Sequence, residues 1–294
     1  MLKDIYYAIM GLVVGDALGV PYEMRRRGTF TAIDMVGGGV YRQPAGTWSD
    51  DSSLTLATLA SIKEKKGKII FDDIMDKFTE WYLYGEYTPH GKPFGEGATV
   101  RAALYNYITC GKKPLDCGQT REYSNGNGSL MRILPLTFFK HDEKLVARVS
   151  SLTHAHPVSV EGCQLYIQIA DLIRKGYPMA VIREAVCDMA TTEAYLRLKE
   201  IAFMVVPEDK IKSTGYVVDT LEAALYCLFE TNSYADCVLK AANLGGDTDT
   251  IAAVAGGLAG LYYKDIPEEW VNKIARREWI EDLCDFSRLR KSLI

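Results

Sequence analysis

Apolar residues recur at three- and four-residue intervals along most of this chain, and no stretch alternates with the two-residue period of a half-buried strand. That spacing predicts a first helix over 3–18, ending near Gly15-Asp16-Ala17-Leu18-Gly19. Val20-Pro21-Tyr22-Glu23 should leave it as an extended segment, because a residue before proline avoids the helical region. Residues 25–46 read as a loop that delivers Ser49-Asp50-Asp51 to a helix carrying Leu54, Leu56, Leu59 and Ile62. An amphipathic helix follows over 71–87, with Ile74, Phe78, Trp81 and Tyr82 on one face. Further helices are predicted over 99–109, 158–175, 221–230 and 236–243, with Pro178 placed to start another and Pro267 to start the final stretch, rich in Trp, Arg and Glu. No internal repeat or low-complexity linker divides the chain. The expectation is one all-α domain over 1–294, a bundle of many crossing helices.

One helix breaks the amphipathic pattern. Ile251-Ala252-Ala253-Val254-Ala255-Gly256-Gly257-Leu258-Ala259-Gly260-Leu261 is small and apolar on every side, so it belongs in a core. Its N-terminus, drawn inward with it, carries Gly245-Gly246-Asp247-Thr248-Asp249-Thr250. A second acidic set, Trp48-Ser49-Asp50-Asp51-Ser52-Ser53, opens another helix. Either set alone reads as a helix cap. Capping accounts for one acid per helix, not for two. If the sets meet, four carboxylates share a pocket and must raise each other's pKa or take up cations. Oxygen ligands without cysteine or histidine suit Mg²⁺, Mn²⁺ or Ca²⁺, and four carboxylates balance two divalent ions. No EF-hand loop is present.

Weaker signals lie between the two sets. Asn125-Gly126-Asn127-Gly128-Ser129 offers backbone N–H groups beside a helix start, which suits a phosphate, although such a cluster is also ordinary turn chemistry. His154 and His156 read better as hydrogen-bonding groups than as ligands of one ion. Tyr216 suits either a stacking platform or a core tyrosine with a satisfied hydroxyl.

Composition narrows the classes. The 294 residues carry a formal charge of −4 with no basic stripe, so neither nucleic acid nor a membrane surface is expected as partner. Seven scattered cysteines without a Cys-x-x-Cys argue against a disulfide framework or structural zinc and for a reducing, cytoplasmic location. The apolar run Tyr6–Val14 faintly resembles a signal peptide. Asp4 and Asp16 bracket it, and it reads as too short to span a bilayer, which leaves a buried first helix.

Taken in order, Gly15-Asp16-Ala17-Leu18-Gly19 with Glu23, Pro44-Ala45-Gly46-Thr47-Trp48-Ser49-Asp50-Asp51, Asn127-Gly128-Ser129-Leu130-Met131-Arg132, Thr153-His154, Gly215-Tyr216-Val217-Val218-Asp219-Thr220 and Gly245-Gly246-Asp247-Thr248-Asp249-Thr250 resemble the ADP-ribosylglycohydrolase family. The resemblance spans residues 8 to 262. It implies a compact all-α fold with a binuclear centre of two Mg²⁺ or Mn²⁺. By position it implies Ser49, Asp50, Asp51, Asp247, Asp249 and Thr250 as metal ligands, with Ser49 where the family usually has threonine. It implies Asn127, Gly128 and Ser129 as a diphosphate loop, and His154, Gly215 and Tyr216 as further ADP-ribose contacts. Glu23, Asp50 and Asp249 become the catalytic set. Gly95 falls where the family often has aspartate, with Glu96 next to it as a possible substitute.

The activity so implied is hydrolysis of the bond between ADP-ribose and an acceptor, most simply an arginine of a modified protein or a small ADP-ribosyl compound, by a monomer. Water activated by the cations would attack the anomeric carbon. Two other classes fit the same motifs: a catalytically silent ADP-ribose-binding or structural relative, and a metal-dependent phosphohydrolase. The products separate the hydrolases, since glycosidic cleavage yields ADP-ribose and phosphohydrolysis yields AMP.

Overall fold

The computed structural model describes residues 2–292 and 294. Thirteen α-helices, joined by short 3₁₀ turns and loops, make up its regular structure, with no strand among the described residues. The all-α expectation holds. At the centre is α11 (Thr248–Tyr263), buried from Thr248 through Leu261 as its all-round apolarity predicts. Against it lie α1 (Leu2–Gly19), α9 (Val217–Glu230) and α10 (Tyr234–Asn243). The N-terminus of α2 (Asp50–Glu64) points at the same place. α3 (Phe71–Tyr84) packs on α2 and on α4 (Ala98–Ile108), α5 (Glu143–Ser150) on α6 (Pro157–Arg174), and α7 (Met179–Met189) on α6 and on α8 (Leu198–Ala202). α12 (Glu268–Lys273) and α13 (Arg277–Cys284) follow. The buried apolar side chains form one continuous cluster.

The closest approach is between α1 and α11. A Cβ at Gly15 would run into the Ala252 carbonyl, and one at Gly19 into the Asp249 backbone. Thr248 Oγ1 donates to the Gly19 carbonyl at 2.9 Å. Glycine on α1 therefore lets two backbones touch, which brings Asp16 and Asp249 to the same end of the bundle.

Two expectations need correction. Val20–Tyr22 is not extended but a single 3₁₀ turn, because Pro21 lies in its first turn, where the missing N–H is not needed. Only Glu23 is extended, at φ −52 and ψ 139. The N-terminal run is also longer than it reads: Lys3–Tyr22 is long and apolar enough to cross a membrane by length and composition. Yet most of it is buried inside the protein, so its apolarity is satisfied by packing against α11 and α10.

Candidate active site

Three chain segments are pinned together where α1, α2 and α11 converge. Gly245 and Gly246 both adopt left-handed φ, 71 and 73, which bulkier residues avoid. Gly246 exchanges two backbone hydrogen bonds with the segment after Glu23, accepting from Met24 and donating to Arg25, each at 2.8 Å. Asp247 N donates to Ser213 O at 3.1 Å, which draws in the loop before α9. That loop in turn pairs with the Asn125–Asn127 segment, through Asn127 N to Gly215 O at 3.0 Å and Val217 N to Asn125 O at 3.1 Å.

The two acidic sets meet. Thr250 Oγ1 lies 3.4 Å from Asp51 Oδ2, and carboxylate oxygens of Asp16, Asp51 and Asp249 all fall within 4.8 Å of one another. Within this cluster Asp16 does a different job from the others. Its oxygens accept from the backbone N–H of Ser49 and of Ser52, each at 3.0 Å, and from Ser52 Oγ at 2.6 Å. Asp16 thus caps α2 from outside the helix, and Ser49 caps it from within by accepting from Asp51 N at 3.3 Å. Ser49 Oγ also donates to Asp51 Oδ2 at 2.8 Å. What remains open is Asp51 Oδ1, buried with no hydrogen-bond partner among the described residues.

Burial first, and mutual repulsion second, hold Asp50, Asp51 and Asp249 well above the usual carboxylate range. Burial pushes Asp16 up to about 6 against the pull of its hydrogen bonds. Glu23 is pushed up to about 7 by burial and then by the Asp247 charge. Its Oε1 accepts from the Tyr41 hydroxyl at 3.3 Å, and its Oε2 is buried without a hydrogen-bond partner among the described residues. A buried all-oxygen donor set with orphaned oxygens is the environment that hard divalent cations fit.

The cluster opens onto a cavity of about 580 Å³, within the range of small-ligand sites. Its wall includes Glu23, Asp50, Asp51, Asp247, Asp249 and Thr250, together with Asn127, Gly128, His154 and Gly215. Asn127 is partly committed already, its Nδ2 donating to Asp247 Oδ2 at 2.8 Å and to Thr220 Oγ1 at 2.9 Å. Three expected site residues lie off this wall. Ser49 stands behind Asp51. Ser129 is fully buried, its hydroxyl accepting from Ser150 Oγ at 3.0 Å and Cys163 Sγ at 3.4 Å. Tyr216 packs partly buried against the core, its backbone bridging to Gly126.

Gly95 forms part of the wall, at φ +88, and a Cβ there would collide with the Asp50 carboxylate. Glu96 does not take the place of an aspartate here, because it turns to Arg101, 3.4 Å away. The structure adds Tyr41, Ser213 and Thr214 to the residues legible from the motifs, and gives Asp16 of the first motif its capping role.

The sequence model of the family described as ADP-ribosylglycohydrolase matches residues 2–293. ADP-ribosylarginine hydrolase Tri1 of Serratia proteamaculans (strain 568) is 34% identical over 290 residues, covering 95% of this chain and 77% of that protein. The ADP-ribosyl-(dinitrogen reductase) glycohydrolase of Rhodospirillum rubrum is 31% identical over 282 residues, covering 91% of this chain and 88% of its own. A solved structure described as an ADP-ribosylglycohydrolase-related protein complex superposes with a TM-score of 0.82 at 32% identity, covering 96% of both chains.

Proposed function

The chain belongs to the ADP-ribosylglycohydrolase family, and from that premise we propose that it releases ADP-ribose from arginine side chains of modified proteins with the help of two divalent cations, Mg²⁺ or Mn²⁺. Hydrolysis of ADP-ribose glycosidic linkages is common to the family and its named relatives. The arginine acceptor is supported by the two Tri1 relatives, from Serratia proteamaculans and Pseudomonas putida, each 34% identical to this chain.

The observation that carries the cation dependence is Asp51 Oδ1, buried and unpartnered among carboxylates that repel one another. Asp50, Asp51, Asp247, Asp249 and Thr250 would hold the cations, which supply Lewis acidity to water and to the ribose hydroxyls. Glu23, on the cavity wall beside Asp247, takes the proton of the attacking water and returns it to the departing guanidine nitrogen. The carbon–oxygen bond forms at the anomeric carbon as the carbon–nitrogen bond breaks. The carboxylates on the cavity wall stabilise the positive charge that grows on the ribose ring. The seven cysteines, all unpaired, support a reducing compartment.

Peptides carrying ADP-ribose on arginine or on serine, incubated with the protein and Mg²⁺, test the acceptor. Free ADP-ribose from the arginine peptide alone is the expected product. Preference for serine overturns the acceptor, and AMP in place of ADP-ribose overturns the glycosidic reaction.

A further inference from the structure

A buried cation lies beneath the Asn127–Ser129 loop, and the reaction above makes no use of it. Arg132 is fully buried, forms no ion pair among the described residues, and leaves Nε and Nη1 without a hydrogen-bond partner. Its guanidinium sits 4.9 Å from the Phe78 ring centroid. Through Nη2 it donates to Val149 O at 3.2 Å, to Ser150 O at 3.4 Å, and to Thr153 Oγ1 at 2.8 Å. Thr153 is fully buried too, and its hydroxyl has one other partner, His154 Nδ1, at 2.9 Å.

Donor and acceptor capacities resolve the direction of this chain. A guanidinium has no acceptor, so Thr153 Oγ1 must accept from Arg132. If His154 Nδ1 carried a proton and donated to the same oxygen, the threonine hydroxyl proton would be buried with nothing to receive it. The hydroxyl therefore donates to Nδ1, which must be bare, and the neutral ring carries its proton on Nε2. Burial and then the Arg132 charge push His154 down to about 3, which keeps the ring neutral. His154 forms part of the cavity wall, and its Nε2 faces Gly126 and Gly128, where added Cβ atoms would lie 3.7 Å and 3.2 Å away.

We propose that Arg132 and Thr153 are positioning residues that lock His154 as the Nε2–H tautomer, so that the cavity presents a neutral, fixed hydrogen-bond donor to the diphosphate oxygens of ADP-ribose. The ligand half of this statement rests on the function proposed above; the tautomer half does not. A bare nitrogen at Nε2 would repel a phosphate oxygen, whereas a protonated one welcomes it without adding charge.

Protein labelled with ¹⁵N-histidine, free of ligand, reports the tautomer through long-range ¹H–¹⁵N correlations, with the His154→Gln spectrum identifying the signal among the four histidines. Wild type should show a protonated Nε2 and a bare Nδ1. Thr153→Val should lose that single pattern and weaken ADP-ribose binding about 10-fold or more, with kcat less affected than KM, and Thr153→Ser should restore both. A protonated Nδ1 or a tautomer mixture in wild type overturns the lock, and needs no variant to fold. A Thr153→Val protein with a mixed tautomer but unchanged ADP-ribose affinity overturns the donor role. Failure of wild type to bind ADP-ribose at all sinks the functional reading together with the donor role, and leaves the tautomer result to stand or fall on the spectrum.

Discussion

Asp51 Oδ1 and Glu23 Oε2, both on cavity-lining residues and without hydrogen-bond partners among the described residues, separate the candidate chemistry from ordinary capping. Asp16 shows the contrast, since its oxygens are engaged at the start of α2. Replacing a carboxylate on the cavity wall, such as Asp50, and replacing a capping one should therefore differ. Asp50→Asn removes a charge from a repelling cluster, so the metal-free protein should melt at a higher temperature than wild type. The same change should weaken Mn²⁺ binding at least about 100-fold, as loss of ligand-shell groups commonly does; calorimetry reads both effects. Unchanged Mn²⁺ affinity would remove Asp50 from the site. Glu23→Gln keeps the shape but loses the base, and should lower kcat by at least about 100-fold while ADP-ribose still binds. An unchanged kcat would leave Glu23 without a chemical role. Most residues of this cluster are legible in the sequence because paired acids and hydroxyls open two helices. Asp16 is not, since a single acid near a helix end gives no sign that it reaches across to a different helix.

At the scale of elements, the site depends on how closely α1 can lie on α11. Gly15→Ala would push a methyl into the Ala252 carbonyl, and overpacking of that kind costs about 1–3 kcal/mol. Urea denaturation should show that loss, together with weaker divalent-ion affinity, because Asp16 and Asp249 move apart. Gly97→Ala is the control: nothing lies within 4 Å of the added Cβ and its φ is −74, so stability should stay within about 0.5 kcal/mol of wild type. Equal stability of the two variants would contradict the close-approach account. The long helices are readable from period and breakers, but α5 and α8 are not. Eight residues capped by Asp142 and five with no side-chain cap give too few turns for a periodicity to show. Helix ends drift for similar reasons: α3 stops at Gly85, whose left-handed φ of 71 closes it before the apolar pattern over 71–87 runs out.

For the whole molecule, the carboxyl cluster makes stability depend on pH and on cations. The ordinary values of Asp16 and Glu23 are 3.8 and 4.5, and folding raises them to about 6 and about 7. The folded state then binds more protons than the unfolded state between those values. Its contribution is present below the ordinary values and lost as pH rises through the folded ones. Protein stripped by a chelator should consequently melt at a lower temperature at pH 8 than at pH 5, and millimolar Mg²⁺ at pH 8 should recover the difference by mass action. A chelated protein that gains stability between pH 5 and pH 8 would contradict the cluster's electrostatics. The central claim, that cations held by this cluster enable cleavage of the ADP-ribose bond, is tested most directly by one titration. Metal-stripped protein is mixed with an arginine-ADP-ribosylated peptide, and released ADP-ribose is followed as Mg²⁺ is added. Release that is absent in chelator and rises to saturation with Mg²⁺ is the predicted result; the same rate of release in chelator as in Mg²⁺ would contradict it.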